Sequence, residues 1–490
     1  TNGDARVEAT LGNITTEIIH VGTGNLNLMA GTDIADIDSD SLITANGLMM
    51  TAGSGIGSSA NVLNTAVGTL AASAAADGLF LTEISGLIIG DVSTTVQRVD
   101  STALDANLGA TNGTQEDLMT SANGALVITV TAGDLTINGG TNSADNAITA
   151  TGSGNVRLET VNAAGSITLN SGLNAGSGHI TVLAGNNLTH SAAGDIVTTS
   201  GDVDMKAAGA MSMTDGSTVT TTEGNIRLNI TGDLALGALS TSSGHVSLMA
   251  NSITDSGTTD TDVTAQNLRV NVTGAAGMFG ASANHMETSL TNLSASVGTG
   301  GLFLTEANSI TVTELAAITT NRVKADGTIT SSSSTDAAQS DLISTGAAVL
   351  QTTAGSIIIN EGAADDSGVN VAGNLLLQAG GVTSDLTLNA DVSSSAGHIS
   401  LNAGQDVLQN ADLSTATTGK TIDVLANRGI TMAETATTIS QDGNIRYSAK
   451  PLVGSAGATH TMTISHLNAG TANISLVGGS VLDAGDTAVD

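Results

Sequence analysis

The sequence predicts an all-β chain wound as a parallel β-helix, a β-solenoid with about 20 to 24 residues in each coil. Three observations predict it. First, a five-residue phrase of Gly, polar, apolar, polar, apolar returns along the chain, as in Gly154-Asn155-Val156-Arg157-Leu158 and Gly178-His179-Ile180-Thr181-Val182. Its first apolar position falls at Val156, Ile180, Val203, Ile226 and Val246, in steps of 24, 23, 23 and 20 residues. Second, aromatic residues make up 1% of the chain, so the core must be narrow and filled by stacked aliphatic side chains. Third, 60 glycines with abundant Thr, Ser, Asn and Asp suit a chain that turns every few residues.

Each element of the coil follows from its residues. Alternation of apolar and polar residues is the period of a strand with one buried face, and the Gly before it marks a turn. Within a repeat there are weaker second and third strands, such as Met211 and Met213 followed by Val219, or Leu234 and Leu236 followed by Leu239. Three short strands and three turns therefore make one coil. Helix signals are weak throughout. About 22 coils at the strand spacing would give a rod on the order of 100 Å long.

A longer period of about 220 residues lies over the short one. Gly78-Leu79-Phe80-Leu81-Thr82-Glu83 returns as Gly301-Leu302-Phe303-Leu304-Thr305-Glu306, and Val156, Ile180, Val203 and Ile226 map onto Leu375, Ile399, Ile422 and Ile445. One continuous solenoid over 1–490 is expected, with block repeats 24–243 and 244–472 and partial blocks 1–23 and 473–490. Between Ser448 and Ala472 about nine extra residues are inserted, including Pro451, the only proline, with Lys450, His460 and His466 nearby. Such an insertion is a surface bulge or a recognition loop. Ser331-Ser332-Ser333-Ser334 reads as an exposed turn.

Composition excludes several function classes. The formal charge of −33, from 45 acidic and 12 basic residues, disfavours nucleic acid and anionic lipid surfaces as partners. The absence of cysteine removes disulfides, thiolate metal sites and thiol chemistry. No apolar run is long enough to span a membrane as a helix, so no membrane insertion is expected. The start at Thr1, without an apolar leader, points to a processed product or a piece of something longer.

The search for chemistry yields no catalytic, cofactor-binding or metal residue that can be assigned. His179, His245 and His398 follow the Gly of the phrase, and all eight histidines read as solvent-facing polar fillers. His460 and His466 have no third ligand beside them. Gly53-Ser54-Gly55-Ile56-Gly57 reads as a turn without the following helix that a phosphate loop needs. Acidic clusters are the one site-like feature: Asp33, Asp36, Asp38 and Asp40; then Asp255, Asp260 and Asp262; then Asp483, Asp486 and Asp490. Their carboxylates are the place where calcium would be held, against the reading of a solvated acidic face.

The tandem phrases, seen again in Gly397-His398-Ile399-Ser400-Leu401-Asn402-Ala403, resemble the passenger rods of bacterial filamentous-haemagglutinin-type exoproteins and autotransporter adhesins. That resemblance covers nearly the whole chain. It implies a right-handed parallel β-helix, export to the cell surface, and a role in adhesion, aggregation or matrix formation. The family's amino-terminal secretion domain and any translocating barrel are not seen in this sequence. The leading expectation is a non-enzymatic extracellular rod or fibre that associates end to end or continues in a larger chain, with host or cell-surface glycans or proteins as further partners. A second is a self-assembling, calcium-dependent surface-layer or filament subunit. A third is a polysaccharide-processing β-helix enzyme, which the scarcity of basic and aromatic residues disfavours.

Overall fold

The computed structural model describes residues 3–485 except 39, 107–110, 142–145, 259 and 451–459. Among these residues every regular element is a β-strand. Parallel strands stacked about 23 residues apart form a β-solenoid of about 20 turns. The chain divides into two compact units, residues 1–244 with 319–335, and residues 245–318 with 336–490.

In the first unit the phrase builds the core as its alternation requires. Val156 pairs in register with Ile180, Ile180 with Val203, and Val203 with Ile226. All four are fully buried. Strands Val156–Thr160, Ile167–Leu169 and Leu173–Asn174 make one coil, and each pairs with its counterpart in the next: Ile180–Ala184, Leu188–His190 and Ile196–Thr198. Met211, Met213 and Val219 continue the second and third faces.

The polar residue after the Gly has a structural task. Its side chain accepts the backbone N–H of the same position one coil on: Asn155 Oδ1 from His179 at 2.9 Å, His179 Nδ1 from Asp202 at 2.9 Å, and Asp202 Oδ1 from Asn225 at 2.8 Å. Asn, His and Asp share an acceptor at similar reach, which explains why they alternate there. Many of the acidic residues serve as corner acceptors in this way, Asp195 for Thr218 and Asp134 for Ser166 among them.

In the second unit Leu375, Ile399, Ile422 and Ile445 form the corresponding ladder, paired in register and buried. Tyr447 lies fully inside it, its hydroxyl 2.7 Å from both Gln409 Oε1 and Thr438 Oγ1. Most of the inserted segment after it, Pro451 included, lies outside the described residues.

Two devices recur at offsets of 223 and 224. Glu83 and Glu306 are fully buried carboxyl groups that accept hydrogen bonds from backbone and hydroxyl donors. Glu83 accepts from Thr65 Oγ1 at 2.7 Å, Val67 N at 3.1 Å and Ser85 N at 2.8 Å; Glu306 accepts from Thr288 Oγ1 at 2.7 Å, Leu290 N at 3.0 Å and Asn308 N at 3.0 Å. The second device is an excursion. Leu79 pairs with Leu126 and Leu302 with Ala348, a step twice the usual one, because the chain leaves the solenoid after Leu87–Ile89 and again after Ile310–Val312. Each excursion folds into a narrow antiparallel strap, pairing Arg98 with Ala106 in one and Arg322 with Thr330 in the other.

The histidines correct one expectation. His190 is fully buried in the stack between Leu169 and Met213. Neither ring nitrogen reaches hydrogen-bonding geometry, although the Gly194 backbone lies close. The register of strand Leu188–His190, which buries its first and third residues, turns the ring inward. Burial pushes the imidazole below its ordinary value of 6.5. A histidine depressed in the fold charges more readily when unfolded, so this group costs stability as pH falls below 6.5. His190→Leu is expected to stabilise the chain by about 1 kcal/mol at pH 7 and to weaken its acid sensitivity, as read from denaturant unfolding at pH 5 and 7.

Candidate functional site

Three carboxylates converge in the second unit. The sharp turn after strand Ile253–Asp255 places Asp255, and the starts of strands Val263–Val272 and Met286–Val297 bring Asp262 and Glu287 beside it. One oxygen from each lies within 4.8 Å of the others. Asp255 is fixed by Gly257 N at 2.5 Å and Asn284 Nδ2 at 2.8 Å, and Asp262 Oδ2 by Glu287 N at 2.7 Å. Asp262 is 4% exposed. Glu287 Oε2 is buried, and its carboxyl lies within hydrogen-bonding reach of Asp262.

Burial and the neighbouring Asp255 and Glu287 push the Asp262 carboxyl up to about 9, and burial with Asp255 raises Glu287 as well. At neutral pH Asp262 therefore carries a proton and lets the trio share less than three negative charges. Such a centre can hold a proton, or exchange it for a hard cation that takes carboxylate oxygens. The stability consequence has a definite sign. Folded Asp262 keeps a proton that the unfolded chain releases above about 4, so this group lowers stability progressively from about pH 4 to about pH 9, and no further above that. Asp262→Asn, which mimics the protonated form, is expected to flatten that part of the stability profile. Urea unfolding of the second unit at pH 5, 7 and 9 checks it; an unchanged slope contradicts the assignment.

The predicted clusters distribute unevenly. In the first, Asp33 accepts from Gly55 N, Asp36 is buried under Thr16 and Asn64, and Asp38 accepts from Asp40 N. Asn64 holds there the place that Glu287 holds in the second unit, and among the described residues no three acids come together there. In the second cluster Asp255 and Asp262 meet, while Asp260 stays exposed and Glu287 joins from a distant stretch. In the third, Asp483 accepts from Gly485 N, and Asp486 and Asp490 lie outside the described residues. His460 and His466 enter no metal-binding group among the described residues. Glu287 was invisible in sequence because its partners are 25 and 32 positions away, one coil back.

A second polar constellation lies in the first unit, where strap 319–335 covers outward side chains of four coils. Asp204, fully buried, is bound by Arg227 Nη1 at 3.2 Å and by Arg322 Nε. Thr181 Oγ1 accepts from Val323 N at 2.8 Å, Arg157 Nη1 donates to Val323 O at 2.6 Å, and Asn155 Nδ2 donates to Gly327 O at 2.9 Å. Ser334, expected in an exposed turn, is buried and donates to Thr320 O, while Ser331, Ser332 and Ser333 are exposed. This constellation holds the strap to the coils beneath it.

No helix among the described residues is long and apolar enough to cross a membrane. Compared with known protein families, curated proteins and solved structures, the chain matches none.

Proposed function

We propose that this chain is a non-enzymatic structural element of an extracellular fibre at a bacterial cell surface, serving adhesion, aggregation or matrix formation. The observation that carries the reading is what the long repeat copies. The Glu83 and Glu306 clamps and the two straps recur at offsets of 223 and 224, whereas the carboxylate trio occurs once among the described residues. Duplication has multiplied the parts that hold coils together. Selection for length accounts for this, since a solenoid grows by adding units that already stack.

Self-association end to end, or continuation in a larger chain, fits the same reading. The resemblance to haemagglutinin-type exoproteins supports the surface location. A second reading, a cation-dependent filament subunit, is favoured by the Asp255, Asp262 and Glu287 trio alone; assembly abolished by chelation and by Asp262→Asn would select it. Assays on a panel of polysaccharides test the non-enzymatic claim. No turnover above background is expected, and cleavage lost on mutating one acidic residue would overturn it.

A further inference from the structure

The second unit repeats the outward ladder that strap 319–335 covers in the first. At an offset of 219, Leu376, Ser400, Asp423 and Arg446 repeat the positions of Arg157, Thr181, Asp204 and Arg227, on strands that pair in the same order. The ion pair is rebuilt: Arg446 Nε donates to Asp423 Oδ1 at 2.8 Å and Nη2 to Oδ2 at 3.2 Å. Its setting differs. The side chains of Arg446 and Asp423 are 48% and 42% exposed, against 5% and 0% for Arg227 and Asp204 beneath their strap.

The strap itself is a recurring part. Gln97-Arg98-Val99 repeats Asn321-Arg322-Val323. Both tips are closed antiparallel hairpins, with Asp100 N donating to Leu104 O at 3.0 Å in one and Lys324 N to Thr328 O at 2.7 Å in the other. Each block thus contributes one strap, leaving the solenoid at the same point. Strap 319–335 reaches back to coils that precede it by roughly 90 to 170 residues in the sequence, where its arginine completes an Arg-Asp-Arg group.

We propose that the Leu376 to Arg446 ladder is a docking surface for the strap hairpin of a further block of this repeat, whose arginine binds Asp423 as Arg322 binds Asp204. Three of the four positions keep the matching chemistry, whereas Leu376 lacks the donor that Arg157 gives to the Val323 carbonyl. Asp423 has one guanidinium and room for a second, Ser400 offers the hydroxyl that takes a strand N–H, as Thr181 does, and Leu376 offers apolar contact to the valine of the tip. Covering the ladder would desolvate the Asp423 pair and lock several coils together through one segment. The proposal rests on the reading of the chain as a block-built scaffold, and it adds how successive blocks are tied.

The test uses the full chain and a synthetic peptide of residues 319–335, blocked at both ends. Saturable binding is expected, with protection from hydrogen exchange at strands Ile399–Ala403, Ile422–Ala426 and Ile445–Ala449. Asp423→Lys in the chain, or Arg322→Ala in the peptide, should weaken binding about tenfold or more. Asp423→Asn carries the same test if the lysine variant folds poorly. Absence of saturable binding up to about 1 mM, or binding indifferent to Asp423, overturns the proposal. Filaments that persist without peptide binding would refute the docking alone, whereas peptide binding by a chain that forms no filaments would refute the fibre reading alone.

Discussion

Asp204→Ala is expected to destabilise the first unit by about 3–5 kcal/mol and to release the strap that covers it. Asp204 is fully buried and holds Arg227 on one side and Arg322 on the other. Removing the carboxylate leaves two cationic groups in a desolvated place with a shared partner gone, and the cost comes from the stranded charge more than from the lost bond. Hydrogen exchange at Val323, whose N–H is held by Thr181, should rise together with the loss of stability. Asp423→Ala provides the contrast, because its pair with Arg446 is about half exposed and is expected to be worth about 0–1 kcal/mol. Equal losses at the two positions would contradict the role given to the strap.

Ile180→Asp is expected to cost about 4 kcal/mol or more, enough to abolish cooperative unfolding of the first unit. Ile180 is fully buried between Val156 and Val203, each one strand spacing away along the stack. A carboxylate there has no donor and no water, so it must be buried charged or take up a proton, and both are unfavourable. An outward position on another strand of the preceding coil is the control: Thr168→Asp, partly exposed on strand Ile167–Leu169, should change stability by less than about 0.5 kcal/mol. Denaturant melts of the three chains decide the matter.

The coil was legible because its signal is local. An alternation of period two, a Gly and a fixed return distance suffice to place Val156, Ile180, Val203 and Ile226 in one buried ladder, and the structure places them there. The straps were not legible in the same way. Their innermost strands are two residues long, and the coils they cover lie far back in the sequence, by 68 residues for Asn25 and Ser93 and by 118 for Asp204 and Arg322. The available clues were the doubled step between coils and the return of Arg-Val at positions 98–99 and 322–323. Outward charges such as Arg157 and Asp204 alternate as solvent-facing residues would; only the overlying strap buries them. The same limit applies to the carboxylate centre. Asp255 and Asp262 are close in sequence, but Glu287 joins them through coil stacking, and His190 is set inward by register rather than by hydrophobicity.

The central claim is that the chain is a length-giving scaffold whose coils continue from one block to the next. A cryo-electron microscopy map of the native material tests it most directly. The account predicts filaments with strands stacked at about 4.8 Å along the axis, continuous through successive blocks, with a strap over the Asp423 and Arg446 ladder. Isolated monomers with terminal residues folded over both ends, and an open ladder, would contradict it.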